Sequence, residues 1–276
     1  MPRKHKILKM KDKFDKFTTK KGMIFDLPAR IALCGASGMG KTSILGSLLL
    51  LNSFYAKDFL GKHIYIVSPS LPTDFKLKTI IKAKDVPEDN LYLDFDEEEM
   101  TELYNYLQDN YKFAMENKEK PNNTVVIFDD ISFSGKLKDK QYGILSKFMC
   151  NGRKNLISVI QTSQKYTQLS TTSRENLTGC MLASCSDKQL DLITEDHSYI
   201  EKTKFKKLYR QLTNERFCFM VINYSNDFES MYMTKDFVPV KLETDYSKDK
   251  VTTETSAGES SKPKEAGEVP PSSLEA

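Results

Sequence analysis

Gly35-Ala36-Ser37-Gly38-Met39-Gly40-Lys41-Thr42 is the stretch on which the reading of this chain turns. It follows the apolar run Arg30-Ile31-Ala32-Leu33-Cys34 and precedes the helix-like Ser43-Ile44-Leu45-Gly46-Ser47-Leu48-Leu49-Leu50. A strand that enters a glycine-rich turn and then a helix aims several backbone N–H groups at one point. That point also carries the positive end of the helix dipole, so it suits a triphosphate. The whole run from Gly35 to Ser43 is the expected cradle: Gly35, Ala36, Ser37, Gly38, Met39, Gly40, Lys41, Thr42 and Ser43. Lys41 is expected to reach the β- and γ-phosphates and the Thr42 hydroxyl to ligate Mg²⁺. The bland alternative is a glycine-rich turn with no ligand. The spacing and the flanks favour ATP with Mg²⁺.

The remaining apolar segments suggest a mainly parallel sheet. His63–Val67, Thr124–Phe128, Leu156–Ile160 and Gly179–Ser184 read as short buried strands, with Leu91–Leu93 a weaker one. Glu97–Glu116 reads as a helix: acidic residues crowd its first turn, and Met100, Leu103, Tyr104, Leu107 and Tyr111 fall at helical spacing. Lys136–Asn151, Lys188–Ile193 and Lys202–Leu212 read as further helices. Arg216–Asn223 and Ser230–Met233 suggest a closing antiparallel pair. Strands that are apolar throughout, alternating with helices, define an α/β fold with helices on both faces of the sheet.

Composition sets the boundaries. Of 276 residues, 39% are hydrophobic and 29% charged, which suits one α/β domain with polar tails. Residues 1–22 are expected to form a basic arm, 23–242 the nucleotide domain, and 243–276 a disordered acidic tail. The first 21 residues hold nine Lys/Arg against Asp12 and Asp15, whereas 243–276 hold eight Asp/Glu against four Lys and almost no large apolar group. A basic arm can follow a nucleic-acid backbone, and it can equally be a solvated tail. No apolar run reaches the ~20 residues of a membrane span, and no transmembrane segment is expected. The charged start lacks the apolar centre of a signal peptide. Five cysteines, Cys34, Cys150, Cys180, Cys185 and Cys218, lie in or beside apolar segments without metal-ligand spacing, and are expected to be buried free thiols.

Asp129-Asp130, at the end of the Thr124–Phe128 strand, supplies the second piece of a site. Asp129 is expected to hold Mg²⁺ beside the loop strand, and Asp130 to orient or deprotonate the attacking water. The competing role for Asp130 is a cap on the turn into Ile131-Ser132. Gln164, just past the Leu156–Ile160 strand, suits a γ-phosphate sensor better than Gln161, which the strand itself can absorb. Arg153 and Arg174 are candidate arginine fingers, with surface ion pairs as the alternative for each. The chain does not read as a GTPase: there is no Asn-Lys-x-Asp motif, and Asp130–Phe133 reads Asp-Ile-Ser-Phe instead of D-x-x-G.

Taken in order, GASGMGKTS at 35–43, SPS at 68–70, VVIFDD at 125–130, NGRKNLISVIQTSQ at 151–164 and SRENLTG at 173–179 resemble the FtsK–HerA group of P-loop ATPases. Within that group the chain is most similar to the viral genome-packaging ATPases typified by the poxvirus enzyme and its relatives in large DNA viruses, virophages and membrane-containing phages. The resemblance covers residues 24–237. It implies a P-loop (RecA/FtsK–HerA-like) fold and an ATP-driven translocase of double-stranded DNA. Such a motor works as a homo-oligomeric ring that fills a preformed capsid. It also implies capsid or virion membrane proteins as partners, and action in the virion and the host cytoplasm. Asp130 stands where much of the wider group carries glutamate. The alternatives are a non-viral DNA-transfer ATPase of the same group, or a nucleotide-gated scaffold with little hydrolysis. Ser134–Lys140 and Lys165–Thr172 are candidate DNA-contacting loops.

Overall fold

The computed structural model describes residues 16–133 and 143–242. The acidic tail, most of the basic arm and the candidate loop Ser134–Lys140 lie outside the described residues. Eight strands form one sheet: β1 (Arg30–Cys34), β2 (Ile64–Val67), β3 (Leu91–Tyr92), β4 (Thr124–Asp129), β5 (Ile157–Ser163), β6 (Gly179–Ala183), β7 (Phe219–Asn223) and β8 (Tyr232–Met233). Their order is β3-β2-β4-β5-β1-β6-β7-β8. The first six are parallel, and β7 and β8 add antiparallel to β6.

Helices cover both faces: α1 (Lys41–Leu50), α2 (Phe75–Lys84), α3 (Glu97–Glu116), α4 (Ile144–Asn151), α5 (Thr171–Glu175), α6 (Asp187–His197) and α7 (Lys202–Leu212). The period-2 geometry of a strand sorts its side chains between them. Along β4, Val125 and Ile127 pack with Leu45, Leu49, Leu77 and Ile80 of α1 and α2. Val126 and Phe128 face α3, α4, α6 and α7 through Leu103, Phe148, Ile193 and Leu208. Every residue of β4 is buried, which is why the strand reads as an unbroken apolar run. The Phe128 ring meets Phe148 edge-on at 5.5 Å, and Phe148 meets Tyr104 at 5.1 Å. Removing the Phe128 ring would cost about 3–5 kcal/mol.

Several boundaries differ from the sequence reading, each for a local reason. β5 runs on to Ser163, so Gln161 is a buried strand residue, and Leu156 stands before it in the left-handed region at φ 57°. His63 belongs to a short 3₁₀ turn ahead of β2. α2 escapes the sequence reading because only Leu77 and Ile80 of its ten residues are buried. Its clearest mark is the N-cap Asp74, whose carboxylate accepts the Leu77 N–H. All five cysteines are free, but only Cys34 and Cys180 are buried; Cys150 is exposed on the outer face of α4. No described helix is long and apolar enough to cross a membrane.

The acidic strand does not lie next to the loop strand, as the sequence reading supposed. β5 is inserted between β1 and β4. The insertion places Thr162 and Gln164 between the phosphate loop and the carboxylates.

Candidate nucleotide site

All the pieces of the site except the two arginines gather at the edge where the parallel strands end. β1 stops at Cys34, and the Gly35 N–H donates to the Ser163 carbonyl at 3.1 Å, tying the loop's first residue to the end of β5. The chain then reverses through Gly38 (φ 76°) and Gly40 (φ 96°), a backbone that side-chain-bearing residues rarely adopt. Gly40 is the N-cap of α1. No side chain caps that end and no acidic residue occupies its first turn, so its N–H groups face an open, electropositive loop.

Lys41 lies buried across the mouth of this loop. Its Nζ donates to the Gly35 carbonyl at 2.9 Å and stands 3.9 Å from Asp130 Oδ2. Thr42 Oγ1 donates to Asp74 Oδ2 at 3.3 Å, and Lys76 Nζ holds the Ser43 hydroxyl at 2.9 Å. Sequence reasoning passed over Asp74. Its signal was the cap position before an unrecognised helix.

The two aspartates at the end of β4 divide their work. Asp129 is buried and its carboxylate is fully engaged: Ser68 Oγ donates at 2.7 Å, Ser70 Oγ at 3.3 Å and Thr162 Oγ1 at 2.6 Å. The SPS stretch therefore has a physical role, since its two hydroxyls orient Asp129. Asp130 leaves the strand at φ 48°, and this kink turns its carboxylate towards the loop. Thr162 braces the kink by accepting the Asp130 N–H at 3.1 Å. Gln164 Nε2 donates to Asp130 Oδ2 at 3.4 Å. Asp130 Oδ1 is buried and, among the described residues, has no partner. Burial raises the Asp130 pKa above the ordinary aspartate value; Lys41 opposes that rise, Asp129 adds to it, and the Gln164 hydrogen bond opposes it. The arrangement is that of a carboxylate able to accept a proton, held between a cation and an amide.

The two arginines fare differently. Arg174, in α5, pairs with Asp196 at 2.5 Å and stacks its guanidinium 5.7 Å from the centre of the Tyr166 ring. It belongs to a partly buried chain of polar groups. Tyr166 Oη donates to Asp196 Oδ2 at 2.7 Å and stands 2.6 Å from His197 Nε2, while Tyr224 Oη meets His197 Nδ1. Burial pushes His197 down to about 4, so the ring is neutral; a proton on Nε2 gives each atom in the chain one role. Arg153 sits in the 3₁₀ turn Gly152–Asn155, which leads into β5. The seven residues of β5 separate that turn from the phosphate edge by about 20 Å. Within one chain Arg153 does not reach the loop.

A mainly parallel sheet with a phosphate loop after β1, an acidic pair at the end of β4 and the strand leading to Gln164 between them defines a P-loop NTPase. The profile of the poxvirus A32 protein family matches residues 15–236, and the chain belongs to that family of viral packaging ATPases. Among curated proteins no sequence matches it significantly. In fold it is similar to the genome-packaging NTPase B204 of Sulfolobus turreted icosahedral virus 2 in complex with AMP. That likeness has a TM-score of 0.52 at 15% identity and covers 75% of this chain and 96% of that one. It is likewise similar to B204 described as the DNA-packaging ATPase of Sulfolobus turreted icosahedral virus. There the TM-score is 0.51 at 14% identity, covering 76% and 96%.

Proposed function

We propose that this chain hydrolyses ATP to drive double-stranded viral DNA into a preformed capsid, acting as a homo-oligomeric ring. The observation that carries the hydrolytic part is Asp130, whose buried Oδ1, unpartnered among the described residues, lies at the phosphate edge beside Lys41 and Gln164. Lys41 would exchange its present partners, the Gly35 carbonyl and Asp130, for the β- and γ-phosphate oxygens. Asp130, released from its cation and raised in pKa, would take the proton of the attacking water. Gln164 touches the same carboxylate, so loss of the γ-phosphate would change its partner too. The donors beside the loop, the Thr42 hydroxyl and the Asp129 carboxylate, are oxygen atoms that suit a hard cation. Thr42 and Asp129 would hold Mg²⁺, which when bound offsets negative charge on the phosphates.

Family membership supports the DNA-packaging part of the reading, and so does the description of the B204 proteins as packaging NTPases. In this reading residues 23–242 are the motor, with 1–22 a basic arm and 243–276 an acidic tail. Capsid or virion membrane proteins dock it at the assembly site, in the host cytoplasm and the virion. Of the two candidate fingers, Arg174 is committed to Asp196 within its own chain. Arg153, exposed in the turn that leads into β5, would serve a neighbour's site in this reading.

The test is ATPase activity with and without duplex DNA for wild type, Lys41→Ala and Asp130→Asn. Stimulation by DNA that both substitutions abolish is expected. No stimulation, together with an Asp130→Asn protein as active as wild type, overturns the motor. In the virus, Lys41→Ala should leave shells without genomes.

A further inference from the structure

β7 runs against β6, so the turn that leads into it lies at the same edge as the phosphate loop. That turn is Glu215-Arg216-Phe217, closed by the Cys218 N–H donating to the Glu215 carbonyl at 3.2 Å. It contains two features that folding alone does not call for. Phe217 is 52% exposed, and its backbone stands at φ 66°, a left-handed conformation that is an outlier for a bulky aromatic residue. Such strain persists where the surroundings hold it, and it clusters at ligand sites. Arg216 is exposed as well, with its guanidinium 4.8 Å from the centre of the Phe217 ring.

Both side chains lean on the loop itself. A Cβ built at Gly40 would come within 3.2 Å of Phe217 Cδ1, and one built at Gly38 within 3.8 Å of an Arg216 guanidinium nitrogen. The ring therefore rests on the residue that opens α1, while the guanidinium reaches the tip of the cradle. Among the described residues Arg216 pairs with no carboxylate. An open aromatic surface beside a phosphate cradle suits a purine base, and a planar cation at the cradle's rim suits a phosphate oxygen.

We propose that the Arg216–Phe217 turn is the nucleoside wall of the ATP site. Phe217 is the apolar surface for the base, and Arg216 is a second cation for the polyphosphate. This rests on the reading of Gly35–Thr42 as an ATP site and adds to it the source of preference for a nucleoside triphosphate over bare phosphate.

The experiment measures Kd by calorimetry for ATP and for inorganic triphosphate on the full chain. Phe217→Gly removes the ring and relieves the left-handed backbone, so the thermal midpoint should hold or rise while ATP binding weakens about tenfold. Triphosphate binding should stay within twofold, and Phe217→Tyr should bind ATP as wild type does. Arg216→Ala should weaken both ligands. ATP affinity unchanged in Phe217→Gly, or both ligands weakened equally by it, overturns the wall. Wild type that binds neither ligand overturns the ATP site itself, a different result from failure of the wall.

Discussion

Two groups of polar side chains diverge from the end of β5. Towards the phosphate loop lie Thr162, Gln164, Asp129, Asp130 and Lys41. On the other side Tyr166 opens the chain through Asp196, Arg174, His197 and Tyr224. In the second group donors and acceptors meet one another, and Arg174 Nε is the one buried atom among them without a partner. In the first group a carboxylate oxygen stays open, and Lys41 is held by partners it can exchange. A closed network fixes one arrangement, whereas an open one can take a ligand. Arg174 and Lys41 carry the same charge and differ in which kind of network holds them.

The largest expected effects separate the two groups directly. Lys41→Ala should lower ATP hydrolysis by about 10²–10³-fold, the scale for removing one preorganised charge-stabilising group. Arg174→Ala should instead act on stability. It uncovers the partly buried Asp196, and after discounting for solvent around the pair the cost is about 2 kcal/mol, read as a shift in denaturation midpoint. Hydrolysis per folded molecule should change little. A stable Arg174→Ala protein that has lost hydrolysis in assembled rings would restore Arg174 as a finger.

Asp130→Asn should reduce kcat by about 10²-fold, the lower end for loss of a general base, while ATP still binds. The pH profile gives the same residue a sign. Because burial raises its pKa, Asp130 becomes protonated above the ordinary aspartate range, and activity should fall as pH drops through that raised value. Stability responds the other way: the folded state binds this proton more tightly than the unfolded chain does, so acidification through that range favours folding at this position. Asp130→Asn should flatten the acidic limb. An unchanged limb would move the base elsewhere.

His197 offers the matching test in the closed group. Its pKa is lowered to about 4 against the ordinary 6.5, so the unfolded chain binds the proton first. Its contribution is complete above pH 6.5 and is lost as pH falls towards 4, by about 3 kcal/mol. Urea midpoints across that interval should fall less steeply in His197→Gln than in wild type. The ATP affinity of His197→Gln at pH 7.5 should match that of wild type, because His197 itself does not line the cavity beside Gly35 and Ala36.

The distinction between the two groups could not be read from the sequence. Gly35–Thr42 and Asp129-Asp130 were legible because a glycine-rich turn between strand and helix, and paired carboxylates ending an apolar run, are local patterns. The core strands were legible for the same reason, since a strand buried on both faces has no polar alternation to conceal it. What escaped was everything set by strand order. The insertion of β5 between β1 and β4, the clamp of Ser68 and Ser70 on Asp129, and the pairing of Arg174 with Asp196 depend on contacts 22 to 61 positions apart. Arg216 and Phe217 reach the loop only because β7 runs against β6; the sequence suggested the antiparallel pair of β7 and β8 but not the strand that β7 would join.

Thr162 stands at the division and gives the smallest and most specific test. Its one hydroxyl accepts the Asp130 N–H and donates to Asp129 Oδ1, so it ties the strand's end to the kink beyond it. Thr162→Val keeps the shape and removes both bonds, leaving a carboxylate oxygen and a backbone N–H without that partner. The cost should be about 2 kcal/mol in stability, with kcat lower by about tenfold because Asp130 loses its brace while Lys41 stays in place. Thr162→Ser keeps the hydroxyl and should recover most of the rate. If the valine and serine variants hydrolyse ATP equally well, the Asp130 kink is held by backbone alone. The open half of the molecule would then owe its geometry to the sheet and not to this side chain.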